Sequence, residues 1–579
     1  MQRRFTLLLV APLLFLSLPA HGEVPTALFL EGDSLPGGPA GHTVTSISNT
    51  AVSHNQGYAA TVNTSDGVTT LSHAWGGVYT GSGSVLRTEG TFGQYRQDSW
   101  ESFFGVSNQL HVAYSPLCTD TATANSGLDA VYLDGTKIMI EEEAYPHLTG
   151  MYWSFGSRPD VTGNNNPYFV GGITPTQGGS TTNRGLFYGV GTTPLLTGGG
   201  VIAGLPDTLD HSETVSFDYR FSWWGDHYIA EVQTVTGSSL NNNHMVIDGA
   251  VILVDGLPVS ENGAIPVSAG GLPGERWDNF DNAGITTDGR WMFTGDTDWS
   301  VVSLDEIIVV DGVIEYREGD TLDGEVLSGS IEGAYMNEDG DVSFIWDIQG
   351  GTVEALYLND RLLLKEGDEV DITGDGVADP GVVLTDFTGI SALTMSDRDF
   401  ADGDVRIYFT ANIDIPPPLL AGRAMRESSD LLSGGADREE LGREEAEGDS
   451  PEKTGGARAV IEGFFQLVAS PTSTGIAGPD GETPAAGRAA LLGVYPNPVR
   501  SGEARIRFSA PAGRRVSVDV FDIAGRHVRS LVAAAETGGE RIVHWDGSRD
   551  DGKLAAPGVY FVRYASEGTI ETKRVTLVR

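Results

Sequence analysis

Short apolar runs punctuated by Asp-Gly, Asn-Asp or Glu-Gly-Asp turns make up most of this chain, and the pattern predicts strands of four to seven residues rather than helices. The clearest instance joins Ile307-Ile308-Val309-Val310 to Val313-Ile314-Glu315-Tyr316-Arg317 through Asp311-Gly312, and ends at Glu318-Gly319-Asp320. Asp and Gly tolerate the positive φ that a two-residue hairpin turn demands. Variants of the second strand with its polar stop begin at Leu28, Val85, Ile138, Leu195, Ile252, Glu315 and Leu363, separated by 57, 53, 57, 57, 63 and 48 residues. Each is followed by a polar turn leading into another strand, beginning at Tyr58, Leu110, Tyr168, Tyr228, Trp291, Val342 and Val405. About four short strands per fifty-odd residues is the size of one propeller blade. Runs such as Val342-Ser343-Phe344-Ile345-Trp346 suit a strand covered by neighbouring blades.

The two ends of this array are complementary. The first copy, Ala27 to Asp33, has no strand before it to pair with, and the last lacks an immediate hairpin after Val405 to Ala411. Val460 to Val468 resembles Val353 to Leu358 and supplies the missing strand, so that the first and last strands pair and no edge is left free. The expectation is an all-β chain with a seven-bladed β-propeller over residues 23–469; an open solenoid or two sandwiches would use the same hairpins. Residues 415–459 are rich in Ala, Gly, Glu and Arg and poor in strand formers, and read as a disordered acidic insertion in the last blade's hairpin. A Pro-, Gly- and Thr-rich linker over 470–490 follows.

From Leu491 the charge changes sign. Residues 491–579 hold 14 Lys+Arg and 10 Asp+Glu, leaving the rest of the chain at −47. Tyr495-Pro496-Asn497-Pro498, Phe521-Asp522-Ile523-Ala524-Gly525-Arg526, Trp545-Asp546-Gly547, Pro557-Gly558-Val559-Tyr560-Phe561 and Lys573-Arg574-Val575-Thr576-Leu577 fall in order among short alternating strands, the pattern of a β-sandwich. This run resembles the immunoglobulin-like domain shared by the flagellar hook-cap protein and the C-terminal sorting domains of type IX (Por) secretion cargo. The resemblance implies sorting or attachment at 491–579, with the outer-membrane secretion machinery as partner; a plain Ig-like spacer is the alternative. The repeat region is more loosely similar to secreted bacterial repeat proteins, which implies no chemistry.

Composition narrows the setting. Arg3 and Arg4, the apolar run Phe5 to Leu18 and small residues near Gly22 predict a signal peptide over 1–22. The mature chain has no other run long enough for a membrane span. The expected location is therefore secreted, or at the cell surface of a Gram-negative-type bacterium. A formal net charge of −43 opposes binding to nucleic acid through a basic face. Cys118 is the single cysteine, expected half-buried, and rules out an internal disulfide.

Candidate chemistry is sparse. Asp371-Ile372-Thr373-Gly374-Asp375-Gly376-Val377-Ala378-Asp379 places oxygen donors at Asp371, Thr373, Asp375 and Asp379, with the Val377 carbonyl, around a glycine that lets the backbone turn. That spacing suits a structural Ca2+ ion, although Val382 stands where an EF-hand has its Glu. The recurrent Glu-Gly-Asp reads as a turn rather than paired acids, because a catalytic pair is needed once. Tyr219-Arg220-Phe221-Ser222-Trp223-Trp224 reads as core on an alternating buried strand, with a sugar-stacking platform as the alternative. The eleven histidines form no His-Glu-x-x-His pair. No catalytic residue and no organic cofactor is assigned. The leading expectation is an exported, non-catalytic propeller that binds an unknown extracellular ligand; a glycan-active hydrolase or lyase and a structural envelope component are the alternatives.

Overall fold

The computed structural model describes residues 23–34, 41–53, 57–65, 75–80, 85–87, 90–107, 109–205, 207–235, 242–388, 393–399, 403–416, 419, 459–471, 490–495, 504–510, 514–522, 525–535, 539–545, 547–550, 553–566 and 569–577. The expected signal peptide, nearly all of the acidic insertion and most of the linker lie outside these residues.

Seven antiparallel sheets follow one another along the chain. Blade 1 runs inward to outward as Thr43–Val52, Tyr58–Ser65, Trp75–Thr80 and Val85–Arg87. The innermost strands of blades 2 to 6 are Tyr95–Val106, Tyr152–Val161, Val215–Phe221, Asp281–Ile285 and Glu325–Met336, and that of blade 7 is Val383–Thr388. Each polar turn signature opens, within a residue or two, the second strand of a blade, and each apolar run with a polar stop falls at its outermost strand. The match is looser in blade 4. There Ala250–Val251 completes the sheet, and the Asp255-Gly256 turn closes a separate hairpin of Leu253–Val254 with Leu257–Pro258.

Second strands are sandwiched between neighbouring blades, and their burial shows it: Pro167–Thr174 is buried at all eight positions. Outermost strands such as Thr193–Thr197 are largely exposed. The buried apolar side chains of this region sort into seven clusters, one for each pair of neighbouring blades, including the seventh with the first. At roughly 1.5–3 kcal/mol for each fully buried Val, Leu, Ile or Phe, these joints are the main source of stability.

Ring closure takes place in blade 7. Val405–Ile415 pairs with Ala459–Ala469 along its whole length, Ile415 opposite Ala459, so the expected insertion is bracketed by one hairpin. Thr26–Leu30 then adds as the outermost strand, with Thr26 opposite Gln466 and Leu30 opposite Gly463. Glu23 reinforces it, accepting hydrogen bonds from the Arg361 guanidinium at 2.9 and 3.1 Å.

The acidic punctuation is scaffold. Asp33, Asp320 and Asp368 each accept the N–H of the residue three positions back, Leu30, Arg317 and Lys365, at 2.7 to 2.9 Å, and the glycine before each has φ of 91–93°. The hairpin aspartates Asp134, Asp248 and Asp311 have φ near 50° and accept the first N–H of the second strand from Val112, Tyr228 and Trp291. Further carboxylates join blades: Glu318 takes the Gly329 N–H, Glu354 that of Phe387 and Glu462 that of Ile47, each in the following blade.

Residues 490–577 form a two-sheet sandwich of seven strands. Ala490–Tyr495, Ala504–Ala510 and Gly539–Trp545 face a sheet ordered His527–Ala535, Arg515–Asp522, Gly558–Ser566, Thr569–Leu577. Trp545, Phe508, Tyr564 and Val518 fill the space between them. Among the described residues no helix is long and apolar enough to cross a membrane. Cys118 is fully buried rather than half-buried, and burial pushes its thiol up to about 12.

Candidate functional site

The inner strands enclose a central channel, and one cation divides it. Arg220 reaches from blade 4 to blade 6, where its Nη2 donates to the Tyr335 hydroxyl at 2.9 Å and its guanidinium lies 4.9 Å from that ring's centre. Its Nη1 is 3.3 Å from Asp160 Oδ2 on blade 3, an oxygen that also accepts the Tyr168 hydroxyl at 2.7 Å. A cavity of about 70 Å3 lies on one side of this bar and one of about 190 Å3 on the other, each lined by residues from all seven blades.

The smaller cavity faces the hairpins that join first to second strands. Glu338 ties three of them together, accepting the N–H of Trp223 and that of Thr287, both at 2.7 Å, while its own N–H donates to Asp397 at 2.9 Å. Burial acts to raise the Glu338 carboxyl, opposed by those N–H groups, and the net shift is upward. The reading of Trp223-Trp224 as strand core is corrected here. Blade 4's inner strand ends at Phe221, the pair stands in the hairpin, and Trp224 is 46% exposed. Strand alternation therefore does not extend to these two residues.

The larger cavity owes its width to β-bulges. The pairing of first with second strand shifts register between Ile47 and Thr50, Trp100 and Phe104, Ser157 and Asp160, Val215 and Tyr219, and Asp281 and Gly284, in blades 1 to 5. Residues within those five intervals, Asn49, Phe103, Arg158, Asp218 and Asn282, line the cavity. A bulge re-aims side chains that regular pleating would send elsewhere. Arg158 and Asn282 hold left-handed backbone, φ of 48° and 32°, which costs a non-glycine residue about 1–3 kcal/mol. Arg158 stacks its guanidinium 4.2 Å from the centre of the Phe103 ring. Burial raises the Asp218 carboxyl, and the charge of Arg158 opposes that shift. Sequence reading missed this site, since a register shift against a partner strand leaves no local composition signal.

The five residues of the expected calcium loop lie together at the ring closure. Asp371 is fully buried and accepts the N–H groups of Thr373, Gly374 and Gly376 at 2.7 to 2.9 Å, and the Thr26 hydroxyl at 3.3 Å. Burial acts to raise its carboxyl, but the three N–H groups outweigh it and hold the group below the usual carboxylate range. Asp379 accepts the N–H groups of Ile372 and Thr373, Asp375 that of Val377, and the Val377 side chain is exposed. The backbone of Asp371 bonds to Pro25 and Ala27, so this loop holds the closing strand. Among the described residues, carboxylate oxygens of Glu332, Asp347 and Glu354 lie within 4.8 Å of one another on blade 6.

Among solved structures, PorZ, described as an essential bacterial surface component of the type IX secretion system of Porphyromonas gingivalis, is similar at 11% identity, with 92% of this chain and 82% of that chain covered at a TM-score of 0.17. Dimeric latent PorU from the same organism is similar at 12% identity and a TM-score of 0.16; the alignment covers 84% of this chain but only 34% of PorU. No curated protein matches. Residues 499–569 match the family described as the FlgD Ig-like domain, so the C-terminal sandwich is a domain of that type.

Proposed function

We propose that this chain is an exported, surface-located or secreted ligand-binding propeller whose C-terminal Ig-like domain serves in its delivery. The observation that carries the reading is the pairing of a FlgD-type Ig-like domain with a propeller whose channel is widened by bulges into a polar cavity. Resemblance of that domain to type IX sorting domains supports the delivery role and the outer-membrane secretion machinery as partner. Asp160 in the channel is held by Arg220 and Tyr168, which fixes its carboxylate in place. The test is to express the chain with and without residues 491–579 in a bacterium with type IX secretion and follow surface labelling. The full chain is expected at the surface or in the medium, and the truncated chain inside the outer membrane. Equal delivery of both would overturn the sorting role.

A structural calcium ion in the loop Asp371–Asp379 belongs to the same proposal, because the loop holds the closing strand. A cation held a hundredfold above its dissociation constant stabilises the folded state by about 2.7 kcal/mol. Calcium is therefore expected to raise the thermal midpoint of the chain, a chelator to reverse the rise, and Asp375→Asn to abolish it. A midpoint indifferent to calcium would remove the ion from the account.

A further inference from the structure

We propose that the larger channel cavity is a binding site for one cyclic polyol, a single monosaccharide unit, held by Arg158, Asp218, Asn282 and Asn49 on the side of the Arg220 bar away from the hairpins. The proposal rests on the reading of the propeller as a binding module and names the chemistry of its ligand.

Size sets the first limit. About 190 Å3 lies below the roughly 300–1,000 Å3 of sites that take drug-sized ligands, so the cavity itself has room for about one small ring. Arg220, tied to Tyr335 and Asp160, stands between this cavity and the smaller one and lines both.

The distribution of polar groups sets the second. Asn49, Arg158, Asp218, Asn282, Tyr335 and Thr394 come from six different blades, so hydrogen-bonding residues surround the cavity instead of gathering at one end. A molecule with hydroxyls around its whole rim matches such a ring. A fatty acid, polar at one end only, does not, and a small zwitterion pairs with one cation and one carboxylate but leaves the remaining polar wall without a partner. Charge agrees with this: Arg158 and Arg220 are balanced by Asp160 and Asp218, so the lining does not favour a ligand of net charge. A hydroxyl both donates and accepts, and suits a wall that mixes guanidinium and carboxamide donors with carboxylate and carboxamide acceptors. Pro159, Ala283 and Ala334 between the polar positions offer the apolar contact that ring C–H groups need.

Backbone strain is the independent sign. Two polar residues of this one cavity, Arg158 and Asn282, occupy left-handed backbone inside bulges, and strain of that kind persists where the surrounding structure enforces it.

The experiment titrates the full mature chain with D-glucose, D-galactose, D-mannose, L-fucose, N-acetyl-D-glucosamine and myo-inositol, by calorimetry and by thermal shift, with glycine and L-alanine as zwitterionic probes. At least one polyol is expected to bind and raise the thermal midpoint. Asn282→Gly removes the carboxamide but keeps the turn of the backbone, and Asp218→Asn removes the carboxylate at constant shape; each is expected to weaken binding about tenfold or more. Each variant's ligand-free thermal midpoint separates this loss from misfolding. Trp224→Ala, at the opposite mouth, is expected to leave the affinity unchanged. Absence of binding by every polyol, binding indifferent to both cavity variants, loss of binding in Trp224→Ala alone, or binding by the zwitterions only would each overturn the proposal. Surface delivery is read separately by truncation at 491, so failure there and failure here are distinguishable.

Discussion

A chain that begins at Ser34 instead of Glu23 is expected to lose cooperative folding of the whole propeller, though it lacks less than one strand in twenty. The segment removed carries Phe29 and Leu30, 5% and 1% exposed, whose burial is worth roughly 1.5–3 kcal/mol each. It also carries Glu23, whose carboxylate meets Arg361 and the Ser470 N–H, and the backbone partners of Asp371. Without it, Ala459–Ala469 becomes an open edge, a ready site for pairing with other chains. Leu30 packs directly over Gly463: a Cβ there would lie 2.4 Å from Leu30 Cδ2. The measurement is chemical unfolding followed by circular dichroism and light scattering. The truncated chain should show no cooperative transition and should aggregate, and a synthetic peptide of residues 23–34 added during refolding should restore the transition. A truncated chain with an unchanged midpoint would mean that the ring closes without this strand.

That closure was legible in the sequence because its signals are local. Asp311-Gly312 states its own turn, and Leu28-Phe29-Leu30 followed by Glu31-Gly32-Asp33 is the second half of a hairpin with no first half. The same holds for the C-terminal sandwich, whose turn residues come in order. What was not legible depends on residues far apart in the chain. Arg220 meets Tyr335 across 115 positions, and nothing near either residue announces the other. The bulges depend on how one strand lies against its partner, so Asn49, Arg158 and Asn282 look like ordinary polar interruptions. Trp223-Trp224 failed for a different reason. The alternating strand stops at Phe221, and the two tryptophans, though apolar, already belong to the hairpin that Gly225-Asp226 turns toward Tyr228.

The excess of negative charge, which opposes binding to nucleic acid, also has a structural consequence at the joint of blades 4 and 5. Glu231 is 6% exposed on the second strand of blade 4. Burial is the main cause that pushes its carboxyl up to about 8; Asp218, Asp281 and Glu261 add to the rise, and the Ser216 hydroxyl opposes it. Asp281 is itself pushed up to about 6, chiefly by burial. A carboxyl raised in the folded state favours folding fully only below its unfolded value of 4.5. As pH climbs, the unfolded chain releases this proton first and the folded chain keeps it, so stability falls by about 1.4 kcal/mol per pH unit until the folded group titrates. From pH 4.5 to pH 8 the loss from Glu231 is on the order of 5 kcal/mol. Glu231→Gln copies the protonated form at nearly constant shape. The variant is therefore expected to match the parent near pH 4.5 and to exceed it by several kcal/mol at pH 8, as read from urea unfolding at pH 4.5, 6 and 8. Below pH 4 parent and variant lose stability alike, because the unfolded chain then takes up protons that Asp371 and Glu275, both held below their usual values, still refuse in the folded ring. Parallel pH profiles for parent and variant between 4.5 and 8 would show that Glu231 is ionised in the folded ring and that a cation or water reaches the joint.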